Sequence, residues 1–386
     1  MHAYTHTYIH THMHTYIHTC VGAYDLTYEA SCMLLATLAM GHPRNTAAIA
    51  RAGALPRLVE LLRHTKPRTR QSACRAVAVL ADSAETKAAL VGAIPSLVVL
   101  LASGNAATQQ SAARACCTLA AGSTKNQLAL VGEQATAALA ALLGVHDAET
   151  QEWAQAALFH LALHTDCRPA VHADCRPADG TGYRVPAVVR EAVVRDLVGV
   201  LAGRSTSAQL KAVECLAMIL ERSQASRVTI ARAGAVPYLV RLLGSGGRAD
   251  VDTPPERAAA VLAELARLTE SKLEIGHAGG LEPLVSMLGS SCWQAQTHAA
   301  NALRHLSMVS GHKQRMVDLG AVPKLVGLLS SLAPGCLRTA AARHAASSLF
   351  GLSTLSDAKA RIYIHIDIHA CTNAYMHTIH MLTRPL

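Results

Sequence analysis

Gly92-Ala93-Ile94-Pro95-Ser96-Leu97-Val98-Val99-Leu100-Leu101 is a stretch that this chain writes over and over. It returns as Gly53-Ala54-Leu55-Pro56-Arg57-Leu58-Val59-Glu60-Leu61-Leu62, and again over 234–243, 279–288 and 320–329. Worn copies lie at 132–143 and 193–201. The starts at 53, 92 and 132 differ by 39 and 40, and those at 234, 279 and 320 by 45 and 41. A period near forty predicts stacked helical repeats, because one such unit cannot bury its apolar face alone.

Leu55, Leu58, Val59, Leu61 and Leu62 recur at three- and four-residue spacing, which makes one apolar stripe on a short helix. Pro56 falls in its first turn, where a missing N–H leaves no helical bond unmade. Gly53 suits a left-handed end for the helix before it. A short segment, Asn45 to Ala52, precedes the glycine. Further on, Ala73, Ala76, Val77, Leu80 and Ala81 predict a longer third helix whose small buried residues let neighbouring axes approach.

Short helix, Gly-Ala-x-Pro-x-Leu-Val-x-Leu-Leu helix, Ala-rich third helix: this order resembles the armadillo repeat over residues 30–361. Repeats would run over about 42–82, 83–122, 123–164, 186–224, 225–270, 271–309 and 310–357. Ser103-Gly104-Asn105 followed by Gln110-Ser111-Ala112-Ala113-Arg114-Ala115 is similar to plant-type arrays, those of U-box proteins and vacuolar adaptors. The resemblance implies an all-α, right-handed α-α superhelix of about seven repeats plus a partial N-terminal one. It also implies a protein-binding scaffold with no catalytic machinery and no cofactor.

Bulk properties agree with that class. The 386 residues carry +9, and the excess sits in the repeats. Residues 1–29 and 362–386 hold one basic and three acidic side chains of the chain's 35 and 26, so the rest is +11. Such a surface favours acidic partners. No run reaches the ~18 uninterrupted apolar residues of a membrane span, and no leader with an apolar core and cleavage site opens the chain. The 11 cysteines include no Cys-x-x-Cys pair and sit in helical patterns, so free thiols of an intracellular, monomeric protein of cytoplasm or nucleus are expected.

Three stretches stand apart. Residues 1–29 and 362–386 alternate His, Thr, Tyr, Ile and Met like translated simple-repeat DNA, and no structure is assigned to them. Ala30 to Ala39 resembles a third helix alone, so the array should begin mid-repeat. The insertion 165–185 contains a tandem octapeptide, His164 to Val171 and His172 to Asp179, broken by prolines and glycines into a loop. Its two His-x-x-Cys pairs could group four zinc ligands, but structural sites usually pair Cys-x-x-Cys, and no metal is assigned.

In armadillo proteins the third helices line a groove for an extended partner, and importin-α-like members clamp its backbone with an Asn and a Trp per repeat. The Asn register here holds Val79, Thr118, His160, Met218, Glu264, His305 and Gly351. The Trp register holds Arg75, Arg114, Ala156, Glu214, Ala260, Asn301 and Ser347. Neither ladder survives, so recognition of basic import signals and a nuclear-transport role are disfavoured. Arg75, Val79, Arg114, Thr118, His160, Glu214, Met218, Glu264, Asn301 and His305 are the candidate groove residues. Arg75 and Arg114, one repeat apart, could grip an acidic extended peptide, while Trp153 and Phe159 read as core. The main expectation is a scaffold or adaptor; the alternative is the substrate-recognition part of a U-box-type ubiquitin ligase. Sparse aromatics disfavour nucleic acid, and no Gly-x-x-x-x-Gly-Lys loop or Gly-x-Ser-x-Gly elbow supports an enzyme.

Overall fold

The structure, a computed structural model, describes residues 25–163, 187–244, 254–330, 339–355 and 359. The low-complexity flanks up to 24 and from 360, the octapeptide insertion and residues 245–253, 331–338 and 356–358 lie outside the described residues. Helices make up the described chain, with no strand among the described residues, and the chain divides into two compact units between Arg222 and Ser223.

Unit 1 opens on α1 (Asp25–Ala39), a third-type helix that takes in residues 25–29 of the predicted tail. Three triplets follow. The first is α2 (Pro43–Arg51), α3 (Ala54–Leu61) and α4 (Pro67–Leu80). The second is α5 (Ala84–Ala89), α6 (Ile94–Leu101) and α7 (Ala106–Ala120), the third α8 (Thr124–Gly132), α9 (Ala135–Leu142) and α10 (Ala148–Ala162). Then α11 (Ala187–Ala202) and α12 (Thr206–Arg222) close the unit. Unit 2 holds three triplets: α13 (Ser226–Arg232), α14 (Val236–Leu243), α15 (Pro254–Leu265); α16 (Thr269–His277), α17 (Leu281–Met287), α18 (Trp293–Leu306); α19 (Ser310–Asp318), α20 (Ala321–Ser330), α21 (Thr339–Leu352).

The breaks between helices follow from backbone chemistry. Gly53 has φ 78°, the left-handed turn that separates α2 from α3. In the worn copy the left-handed residue is Gln134, φ 60°, because α8 runs on through Gly132. Between α5 and α6 the link is a 3-10 segment, Leu90–Ala93. Residues 187–202 have Arg190-Glu191-Ala192-Val193 where a glycine would stand, and first and second helices fuse into the single α11. The third helices α7 and α10 start on side-chain caps: Asn105 accepts from the Thr108 N–H at 2.9 Å and Asp147 from the Thr150 N–H at 2.9 Å.

One stripe runs through every third helix. Ala73-Ala76-Val77-Leu80 is matched by Ala112-Ala115-Cys116-Leu119, Ala154-Ala157-Leu158-Leu161 and Ala212-Cys215-Leu216-Ile219 in unit 1. Unit 2 repeats it as Ala258-Val261-Leu262-Leu265, Ala299-Ala302-Leu303-Leu306 and Ala345-Ser348-Leu349-Leu352. All of these residues are buried. They stack α1 on α4, α4 on α7, α7 on α10 and α10 on α12, then α15 on α18 and α18 on α21.

Polar side chains close the helix ends that the stack buries. Gln109, Gln151 and Gln209, three residues before the stripe's first alanine, donate to Leu101 O, Leu143 O and Leu201 O at 3.2, 3.1 and 3.1 Å. Gln296 reaches Ser290 O at 2.7 Å, and Arg70 fills the same place with a 3.2 Å bond to His64 O. Fully buried Asn126 donates to Leu119 O at 3.1 Å and to Lys87 O at 3.2 Å, tying adjacent repeats. These bonds satisfy carbonyls that a helix leaves open at its C-terminus. Residues 84–101 are the one stretch among the described residues long and apolar enough to cross a membrane, but they form three segments with Leu90, Ile94, Leu97 and Leu101 buried in unit 1.

Leu97 and Leu284 are both fully buried, one in each unit. Leu97→Asp and Leu284→Asp should each cost more than about 3 kcal/mol by leaving an unpaired charge in the core. Chemical denaturation read by circular dichroism checks this, and an unchanged midpoint contradicts the core assignment. Gln134→Gly should raise stability by about 1 kcal/mol, since a left-handed non-glycine residue carries a steric cost that glycine lacks. The same titration reads it, and a lowered midpoint contradicts it.

Candidate functional site

The two predicted registers stand two and six residues beyond the first alanine of the buried stripe. A helix turns about 100° per residue, so those positions fall near 200° and 240°, on the side away from the stripe. Val79, Thr118, His160, Met218, Glu264, His305 and Gly351 are all half-buried, and each precedes a buried residue. Arg75 is exposed, and Arg114, Glu214 and Asn301 are half-buried. Seven of the ten candidates lie in unit 1, while Glu264, Asn301 and His305 lie in unit 2. Their faces are therefore two, one on each unit.

On unit 1 the neighbours of each side chain are specific. Arg114 places its guanidinium 5.1 Å from the centroid of the Trp153 ring, across from α7 to α10. Trp153, expected in the core, is half-buried instead, with its indole N–H 3.4 Å from Glu149 Oε1. Its ring face attracts the cation, so Arg114 is committed to an aromatic neighbour. Phe159 is likewise half-buried. Thr118 turns its hydroxyl inward to Ala115 O at 3.0 Å. His160 is held below its ordinary value, first by burial and then by Lys87, and its carbonyl accepts from Gln127 Nε2 at 2.9 Å. Glu214 pairs with Lys211 at 3.1 Å and accepts from Gln155 Nε2 at 3.4 Å.

Unit 2 gathers more charge. Glu264 accepts from Arg227 Nη2 at 2.7 Å and Nε at 3.0 Å, and Arg267 Nη1 lies 3.7 Å away. Arg304 Nη2 donates to Asn301 Oδ1 at 3.0 Å and lies 2.7 Å from His305 Nε2. A guanidinium only donates, so His305 accepts and is neutral. Burial, then Arg304, Arg267 and Lys272, bring His305 down to about 4, against an opposing pull from Glu264. Arg227, Arg267 and Arg304 are residues that the repeat registers did not single out. Only a fold that stacks α13, α15 and α18 brings them together.

Catalytic chemistry finds no purchase in the thiols. Burial pushes Cys32, Cys74 and Cys215 up to about 12 and Cys117 up to about 11, and raises Cys116 too. Such thiols stay protonated and are poor nucleophiles. The cysteines among the described residues are free. No group of three or more His, Cys, Asp or Glu side chains suited to a metal ion occurs among the described residues, and the paired His-x-x-Cys motifs lie outside them.

Residues 42–82 match the family model of the armadillo/beta-catenin-like repeat, so the chain carries at least one repeat of that kind. Among solved structures, an engineered protein is similar at 26% identity over 91% of each chain, with a TM-score of 0.45. A second engineered protein is similar at 25% identity over 68% of this chain and 99% of that one, TM-score 0.49. A designed armadillo repeat protein is similar at 24% identity over 67% of this chain and 99% of that one, TM-score 0.48. Comparison with curated proteins returns no match.

The histidines set a pH response. His305 takes a proton at about 6.5 when unfolded and at about 4 when folded, so the unfolded chain binds more protons between those values. The stability that a neutral His305 contributes is present above about 6.5 and is lost as pH falls toward about 4. His160, His312 and His344 are shifted in the same direction. Thermal melts at pH 7.5 and 5.0 should show a drop that His305→Gln makes smaller; an equal drop in both proteins contradicts the assignment.

Proposed function

We propose that this armadillo repeat protein is a non-catalytic scaffold that holds a segment of a partner protein against the third-helix face of a unit. Armadillo repeats fit a protein-interaction role, and one observation carries the reading here. The positions two and six beyond the stripe alanine stay accessible in every third helix from α4 onward, yet their chemistry varies from Arg75 and Val79 to Met218 and Asn301. Folding demands small and apolar residues on the stripe and leaves this face unconstrained, so the face can be matched to a partner.

An acidic segment suits unit 1, where exposed Arg75 can extend to a carboxylate while Arg114 rests on Trp153. Adaptor and ligase substrate-recognition roles would use the same face, and the ligase alternative rests on family resemblance alone.

A photo-crosslinking amino acid tests the reading in the full chain. Placed at Val79, Thr118 or Met218, it should trap one common partner from native extract. At Val99 or Leu128, exposed on the second helix α6 and the first helix α8, it should trap that partner at least about tenfold less, the contrast of a contact made or missed. Equal capture from both sets removes the third-helix face as the binding surface.

A further inference from the structure

Charge changes sign along the third-helix face of unit 1. Five residues before the stripe alanine stand Arg68 on α4, Ala107 on α7 and Glu149 on α10. Two residues after it stand Arg75, Arg114, Ala156 and, on α12, Glu214. These registers fall near 220° and 200° from the stripe, so both belong to the side that the core leaves free. Glu152, two residues before its alanine, joins the acidic end near 160°. Arg68, Arg75, Glu149 and Glu152 are exposed. Helix α4 carries arginines and no acid, and α10 carries glutamates and no lysine or arginine. One chain of contacts crosses the seam: the Arg114 guanidinium lies 5.1 Å from the Trp153 ring centroid, and the indole N–H donates to Glu149 Oε1 at 3.4 Å. Glu149 suits the first turn of α10, but Arg68 opposes the dipole in the first turn of α4, so folding does not ask for it. The side chains of Arg68, Arg75 and Glu152 form no hydrogen bond or ion pair among the described residues.

We propose that unit 1 binds an extended peptide that is acidic at one end and basic about six residues further along. Its acids lie over Arg68 and Arg75 on α4, and its bases over Glu149 and Glu152 on α10. The spacing follows from the stack. Packed helix axes stand about 8–10 Å apart, so α4 and α10, with α7 between them, are separated by about 20 Å. An extended chain covers that distance in about six residues. Half-buried Trp153 stands at the seam and offers ring surface to the neutral middle of the segment. A segment acidic throughout meets repulsion at Glu149 and Glu152, and so does nucleic acid, whose phosphates repeat without a change of sign. The inference rests on the scaffold reading and adds the charge order of the partner. The two fail apart: a partner trapped at Val79 and Thr118 whose capture survives reversal of these four charges sinks only this inference.

The chain has two tryptophans, so the full chain carrying Trp293→Phe reports on Trp153 alone by fluorescence. It would be titrated with a tryptophan-free peptide of three glutamates, about six neutral residues and three lysines. The controls are the same residues with the charges alternating, and an all-glutamate version. The ordered peptide should bind about tenfold tighter than either control and shift the Trp153 emission. Arg75→Gln and Glu152→Gln, both at exposed positions, should each weaken it by about threefold, the size of one exposed ion pair. Arg343→Gln, exposed in unit 2, should change nothing. Equal binding of the ordered and alternating peptides overturns the proposal, and so does equal binding of the all-glutamate one. Indifference to both Arg75→Gln and Glu152→Gln overturns it as well. Binding that leaves the Trp153 emission unmoved puts the peptide elsewhere and has the same consequence.

Discussion

Close stacking of one third helix on the next is the constraint that the rest of each unit obeys. Helix axes approach to about 8–10 Å only where the side chains between them are small. Ala73, Ala112, Ala154 and Ala212 in unit 1, and Ala258, Ala299 and Ala345 in unit 2, hold that contact and are buried without exception. Alanine contributes little apolar area, so cohesion comes from the last stripe residue, Leu80 or Ile219 for example, and from the leucines of the second helices. Short axis separation also brings helix ends into the interior. The glutamines at 109, 151 and 209 answer that by supplying donors to buried carbonyls.

A helix that commits one stripe to stacking has its other side determined by 3.6 residues per turn. Positions two and six past the alanine must face away from the stripe, whatever residue fills them. Stability therefore places the face and leaves its chemistry open. That separation explains how a sequence can lack the Asn and Trp ladders of importin-α-like proteins and still keep the register on which those ladders would stand.

Legibility followed the same division. The Leu55-Leu58-Val59-Leu62 pattern announced its helix because burial of one stripe needs that spacing, and Gly53 announced its turn because φ near 78° asks for glycine. Gln134 did not, since a residue with a side chain took the left-handed place that its glycine neighbour vacated. The fusion of α11 was equally hidden, as nothing in Val193 to Leu201 marks the loss of a break further upstream. Arg114 on Trp153 and Arg227 on Glu264 join residues 39 and 37 apart in the chain. Such pairs depend on how neighbouring repeats pack, which periodicity alone does not specify.

The two faces resolve their arginines differently, and the difference has a physical cause. Arg114 has a ring beneath it, and the quadrupole of Trp153 draws the cation without neutralising it. Arg304 has no ring. Its neighbours are Asn301, which offers an oxygen, and His305, which offers a nitrogen only while unprotonated. Burial first, and then the repulsion of Arg304 so close by, keeps that imidazole neutral. Each group thus fixes the state of the other, and the result is a guanidinium oriented by two neutral partners. Glu264 offsets part of its charge while itself bound to Arg227 on the first helix of its own repeat.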